Sequence, residues 1–61
     1  MLDIKDIRKR LGFSQEYMAQ RLGITQASYS FKESGTRKFS IKELKILKRI
    51  LNVTYEELLG D

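Results

Sequence analysis

The sequence predicts an all-α fold of five short helices in a single domain spanning residues 1–61. Three observations lead there. Apolar residues recur at spacings of three and four along most of the chain. Ser, Thr and Asp stand where those patterned runs begin, and Gly or Asn where they end. Proline is absent, and only one stretch alternates in the manner of a strand.

Asp3 can cap a first helix over about 3–11, carrying Ile4, Ile7 and Leu11 on one side, and Gly12 closes it. Ser14 opens a second over about 14–22, with Met18, Ala19 and Leu22 inward and Gly23 after it. Ser40 and Glu43 form a capping box that starts a helix over about 40–51 burying Ile41, Leu44, Leu47 and Leu51, stopped by Asn52. Thr54 and Glu57 repeat the box before a last turn over about 54–59 with Leu58 and Leu59.

The remaining stretch, GITQASYSFKESG from Gly23 to Gly35, is the alternating one. Ala27, Tyr29 and Phe31 interleave with Ser28, Ser30 and Lys32. A lone strand here has no partner, and each orphaned buried backbone group costs about 1–3 kcal/mol. As a helix over 25–33 the segment has Thr25 as its cap and Gly35 just past its end. A turn of about 100° per residue then puts Tyr29 and Lys32 on one side and Gln26, Ala27, Ser30 and Phe31 on the other. The helix is the better reading, and it points an aromatic ring outward and a lysine toward the core.

Composition narrows the function. With no Cys and no His, disulfide staples and the usual zinc sites are excluded, and nothing suggests a metal, a cofactor or a small-molecule ligand. Twelve Lys and Arg against eight Asp and Glu leave a formal charge of +4, which favours an acidic partner. No apolar run approaches the roughly 18 residues of a membrane span, so a cytoplasmic chain with no membrane partner is expected. An enzyme is not expected. Glu56 and Glu57 are adjacent on a helix and diverge, and KESGTRK has too few glycines to cradle a phosphate.

Two short helices joined across QRLGIT form a tight helix-turn-helix, with small Ala19 at the close approach, Gly23 in the turn and Tyr29 as the inward anchor. With the segments IKDIRKRLGFSQEYMAQRLGIT and KESGTRKFSIKELKILKRILNVTYEELL, the chain resembles the Cro/C1-type, lambda repressor-like helix-turn-helix family over essentially its whole length. The resemblance implies a sequence-specific regulator of transcription, a repressor, whose helix over 25–33 reads the major groove of double-stranded DNA. It places Gln26, Ala27, Ser28 and Phe31 at base edges. It places Gln15, Ser30, Thr36, Arg37 and Lys38 at phosphates, with Gln15 also bracing the reading helix. It further implies a structural ion pair of Arg8 with Glu33.

The chain departs from the family at three places. Phe31 stands where a polar residue is usual and Lys32 where an apolar one is; Phe39 replaces a common proline, and Lys48 a common alanine. Two placements of Phe31 are open: against a thymine methyl, or tucked inward while Lys32 reaches water along its methylenes. Relatives bind palindromic operators as two-fold pairs, so a homodimer is expected, with Ile46, Ile50 and Tyr55 as its candidate surface unless the final turn covers them. The competing function is a helix-turn-helix that acts through protein contacts, as in an antitoxin or a docking domain.

Overall fold

Each helix begins where a short side chain takes up a backbone amide that the helix itself leaves unpaired. In the computed structural model, which describes residues 3–59, Asp3 accepts from the Lys5 amide at 3.0 Å and Ser14 from the Tyr17 amide at 3.0 Å. Thr25 accepts from Ser28, Ser40 from Glu43 and Thr54 from Glu57, each at 3.1 Å. The reciprocal arm of both capping boxes is present: Glu43 accepts from the Ser40 amide at 2.8 Å and Glu57 from the Thr54 amide at 3.0 Å. The helices that follow are α1 (Ile4–Arg10), α2 (Gln15–Leu22), α3 (Gln26–Glu33), α4 (Ile41–Leu51) and α5 (Tyr55–Leu59). No strand occurs among the described residues.

The turn between α2 and α3 is made by Gly23. Its φ of +71° lies in the left-handed region, and the amides of Gly23 and Ile24 return to the carbonyls of Gln20 and Ala19 at 3.2 and 3.0 Å. Those two bonds close the last turn of α2 and send the chain back across it. A side chain at Gly23 would meet open space, so the demand for glycine is conformational rather than steric. Asn52 ends α4 in the same region, at φ +54°.

α2 packs on α3 and α4, and α4 on α5. Met18, Ala19, Leu22, Tyr29, Leu47 and Leu51 form the buried cluster, with Ile4, Ile7, Leu44, Ile46, Ile50, Val53 and Leu58 partly buried around it. Full burial of a side chain such as Met18 or Leu47 contributes roughly 1.5–3 kcal/mol, so a core this thin depends strongly on each member. Phe39 is half-buried with its ring centroid 6.1 Å from that of Tyr29.

Two apolar residues assigned to inward stripes stand outside. Ile41 is 75% exposed, not buried. The stripe of α4 is centred on Glu43, Leu47 and Leu51, and Ile41 lies about 120° of rotation from Leu47. Glu43 has taken the inward position in the first turn. Leu11, the residue that caps the end of α1 before the turn at Gly12, is also exposed, at 47%. The side chain of Leu59, assigned to the last turn, lies outside the described residues.

Candidate nucleic-acid interface

The outward side of α3 carries side chains with no structural duty, and its inward side carries many. Gln26 and Ala27 are exposed, Ser30 is half-buried and Phe31 is 46% exposed; Ala27 and Phe31 lie opposite Tyr29, Ser30 about 100° round the helix and Gln26 about 60° from it in the first turn. Ser28 is half-buried, and its amide is committed to the Thr25 cap. Thr36, Arg37 and Lys38 follow in the exposed loop after α3. The Arg37 guanidinium sits over the Phe31 ring, 5.3 Å from its centroid. Of the two placements open for Phe31, the structure takes the outward one.

Glu33 fixes this helix in place. Its carboxylate accepts from Arg8 Nε at 2.8 Å and Nη2 at 3.2 Å, from Gln15 Nε2 at 3.2 Å and from the Tyr29 hydroxyl at 2.5 Å. Arg8 also donates through Nη1 to the Phe13 carbonyl at 2.7 Å, so one buried network joins α1, the start of α2 and the end of α3. The Arg8 and Glu33 side chains are 7% and 3% exposed. A charge so far from water is tolerable only when every polar atom is satisfied, and here no buried side-chain N or O among the described residues lacks a partner.

Lys32 points inward and finds a partner that sequence reasoning missed. Its Nζ donates to both oxygens of Glu43 at 2.7 Å, tying the end of α3 to the first turn of α4. A lysine on an inward face demands an anion, and the capping box already places Glu43 at the start of α4. Those two facts together could have found the pair. The Tyr29 to Glu33 bond also had a signal, since the residues lie four apart on one helix.

These networks set a pH window. Burial acts to raise the Glu33 carboxyl, but the bonds from Arg8, Tyr29 and Gln15 outweigh it and hold the group below its ordinary value of 4.5. Glu43 is likewise lowered: burial opposes, and Lys32 and the Ser40 amide prevail. Tyr29 is raised above its ordinary 10.0, first by burial and then by its bond to the Glu33 carboxylate. The depressed carboxyls stabilise the fold above about pH 4.5 and lose that effect as pH falls through their folded values. The raised phenol stabilises below about pH 10 and loses its effect as pH rises beyond. Urea unfolding across pH is therefore expected to give a plateau between these limits with a fall on each side. Stability that holds constant from about pH 5 down to about 2.5 would contradict the acid arm.

The remaining candidate sites are on α4 and α5. Ile46 and Ile50 are half-buried against the core, and Tyr55 is 38% exposed with the Lys48 ammonium 4.7 Å from its ring centroid. Between Ser34 and Thr54 the exposed charges are Arg37, Lys38, Lys42, Lys45, Lys48 and Arg49, while the one acid in that span, Glu43, is buried. Among the described residues no group of acidic, Cys or His side chains is arranged to hold a metal, and no helix is long and apolar enough to cross a membrane.

Comparison with known proteins agrees with this geometry. The helix-turn-helix family model matches residues 4–58. Two proteins of Bacillus subtilis (strain 168), the HTH-type transcriptional regulator AnsR and the uncharacterised HTH-type transcriptional regulator YqaE, are each 37% identical over 57 residues. Each alignment covers 93% of this chain but 49% of the relative, so the chain spans about half the length of the curated relatives it matches. No solved structure gives a significant match. With five capped helices, a glycine turn between α2 and α3 and a family match over nearly all of its length, the chain belongs to the Cro/C1-type helix-turn-helix family of transcriptional regulators.

Proposed function

We propose that the chain is a sequence-specific double-stranded DNA-binding domain of a transcriptional repressor, non-enzymatic and cytoplasmic, which reads the major groove with α3. The observation that carries this reading is the division of labour on α3. Tyr29, Lys32 and Glu33 hold the helix to the rest of the domain, which leaves Gln26, Ala27, Ser28 and Phe31 for base edges. An exposed Gln near a helix start can make paired bonds to the N6 and N7 edge of adenine. Ser30, Thr36, Arg37 and Lys38 then serve the flanking phosphates, and Gln15 joins them from the first turn of α2 while its amide steadies Glu33. Repression is what the likeness to Cro and lambda-type repressors supports.

One reading helix spans few base pairs, so useful specificity needs two half-sites about one helical turn apart. A homodimer on a palindromic operator meets that need, with Ile46, Ile50 and Tyr55 as the side chains nearest the surface where a second copy would seat. Selection of bound sequences from a random DNA pool tests both points, because a two-fold protein returns a palindromic consensus. On the selected site Gln26→Ala is expected to cost roughly 1–3 kcal/mol while leaving affinity for random DNA almost unchanged. Lys38→Ala is expected to weaken both alike and to lower the salt slope by about one. If Gln26→Ala weakened all sequences equally, it would not be reading a base; if no DNA were retained at low salt, a protein-contact role would take the place of this one.

A further inference from the structure

Phe31 is the exception on the outward side of α3, a large apolar ring among small and polar neighbours. It is half exposed and does not pack on the core cluster. Its backbone, by contrast, is heavily used. The Phe31 carbonyl accepts from the Thr36 amide at 2.9 Å, the Arg37 amide at 3.2 Å and the Ser34 hydroxyl at 3.0 Å, which folds the loop back onto the residue that projects the ring. Arg37 is thus held twice to one residue, by its amide on the carbonyl and by its guanidinium over the ring.

We infer that Phe31 and Arg37 form one reading unit, in which the ring takes the 5-methyl group of a thymine and Arg37, held over the ring, is aimed at the neighbouring phosphate. The inference rests on the DNA-binding reading of α3 and deepens it. Its chemistry follows from what the major groove displays. Base edges there offer hydrogen-bond donors and acceptors, and among the four bases only thymine adds an apolar group. A phenyl ring has no hydrogen bond to give or take, so a polar edge loses its water against the ring without compensation, while the methyl does not. The guanidinium can lie flat on an aromatic face and still direct its N–H groups outward, which an ammonium such as that of Lys38 does less well. Arg37 therefore differs from Lys38. Its phosphate contact is correct only when the ring beside it is seated on the right base.

The test uses the site selected by the wild-type chain, with each thymine replaced in turn by uracil, which lacks the methyl. One thymine per half-site is expected to respond, with binding about fourfold weaker, the equivalent of one buried methyl group. Phe31→Ala is expected to bind the thymine and uracil forms of that site equally. Phe31→Leu is expected to keep the thymine preference but to uncouple Arg37, so that Arg37→Ala costs about two- to fivefold less affinity in that background than in wild type. Circular dichroism melts within a few degrees of wild type will show that the exposed substitutions leave the fold intact. The inference is overturned if wild type binds its site but no thymine responds, if Phe31→Ala retains the preference, or if Arg37→Ala costs the same in both backgrounds. Failure of wild type to bind any duplex would instead remove the DNA-binding reading beneath it.

Discussion

Glu33→Ala is expected to remove from about a third to nearly all of the domain's stability at room temperature. The substitution removes one carboxylate and strands three donors: the Arg8 guanidinium, the Tyr29 hydroxyl and the Gln15 amide. Breaking a buried pair by deleting one partner typically costs about 3–5 kcal/mol, chiefly because the surviving charge stays buried and unpaired. A chain of 61 residues has a total stability on the order of 3–9 kcal/mol, so the loss is a large share of the whole. Thermal and urea melts measure it directly. A second variant separates charge burial from the loss of packing as the cause. Arg8→Met, Tyr29→Phe and Glu33→Leu combined removes the acceptor with two of its three donors, the charged one included, leaves only the neutral Gln15 amide without its partner, and is expected to be more stable than Glu33→Ala alone. A single mutant that melts within a few degrees of wild type would mean that the network contributes little.

Glu43→Ala is expected to be the next most damaging, at about 2–3 kcal/mol. Two losses combine. The reciprocal arm of the α4 capping box goes, worth on the order of 1 kcal/mol, and Lys32 loses both of its bonds. The Lys32 side chain is 17% exposed, so its stranded ammonium reaches some water and costs less than the Arg8 guanidinium does. Lys32→Met is expected to cost less than Glu43→Ala, because Glu43 keeps the Ser40 amide as a partner while methionine fills the space of the lysine stem. At roughly 4–8 °C per kcal/mol for a domain of this size, the two variants should separate clearly in a melt. The opposite order would show that the pair matters more to Glu43 than its cap does.

These two networks also mark how far local sequence can carry the reading of this fold. All five caps are legible in the sequence, because an N-cap bond spans only two or three residues and needs nothing from the rest of the chain. Tyr29 is legible for the same local reason, as a large inward residue on a short amphipathic helix. Ile41 is not. The phase of a helix relative to the core is set by its neighbours, and here Lys32 draws Glu43 inward and turns Ile41 out. The side taken by Phe31 is equally undecidable locally, since it depends on whether Lys32 has an anion to meet in another helix. The family resemblance supplies Arg8 with Glu33 as partners and Gln15 as a brace, and the spacing of four within α3 offers Tyr29 to Glu33, but that all three meet on one carboxylate depends on how α1, α2 and α3 pack.

The burial of Glu43 has a consequence well beyond α4. By drawing that one acid inside, the fold leaves a continuous stretch, from Ser34 to Thr54, that shows water six cations and no anion. Among the described residues the exposed acids, Asp3, Asp6, Glu16, Glu56 and Glu57, lie on other elements, where exposed Lys5, Lys9, Arg10 and Arg21 accompany them, so the unbalanced positive charge is concentrated in that stretch. A body so charged, tumbling near a polyanion, feels a torque before it makes contact, and it arrives with its cationic side leading. For a duplex partner this favours rapid capture anywhere along the polymer, followed by sliding in an orientation held by phosphates alone. The search would then be confined to a line, and the arrival rate would fall steeply as salt shortens the range of the field. On the proposed DNA-binding reading, an internal capping residue thereby helps set how fast a target is found.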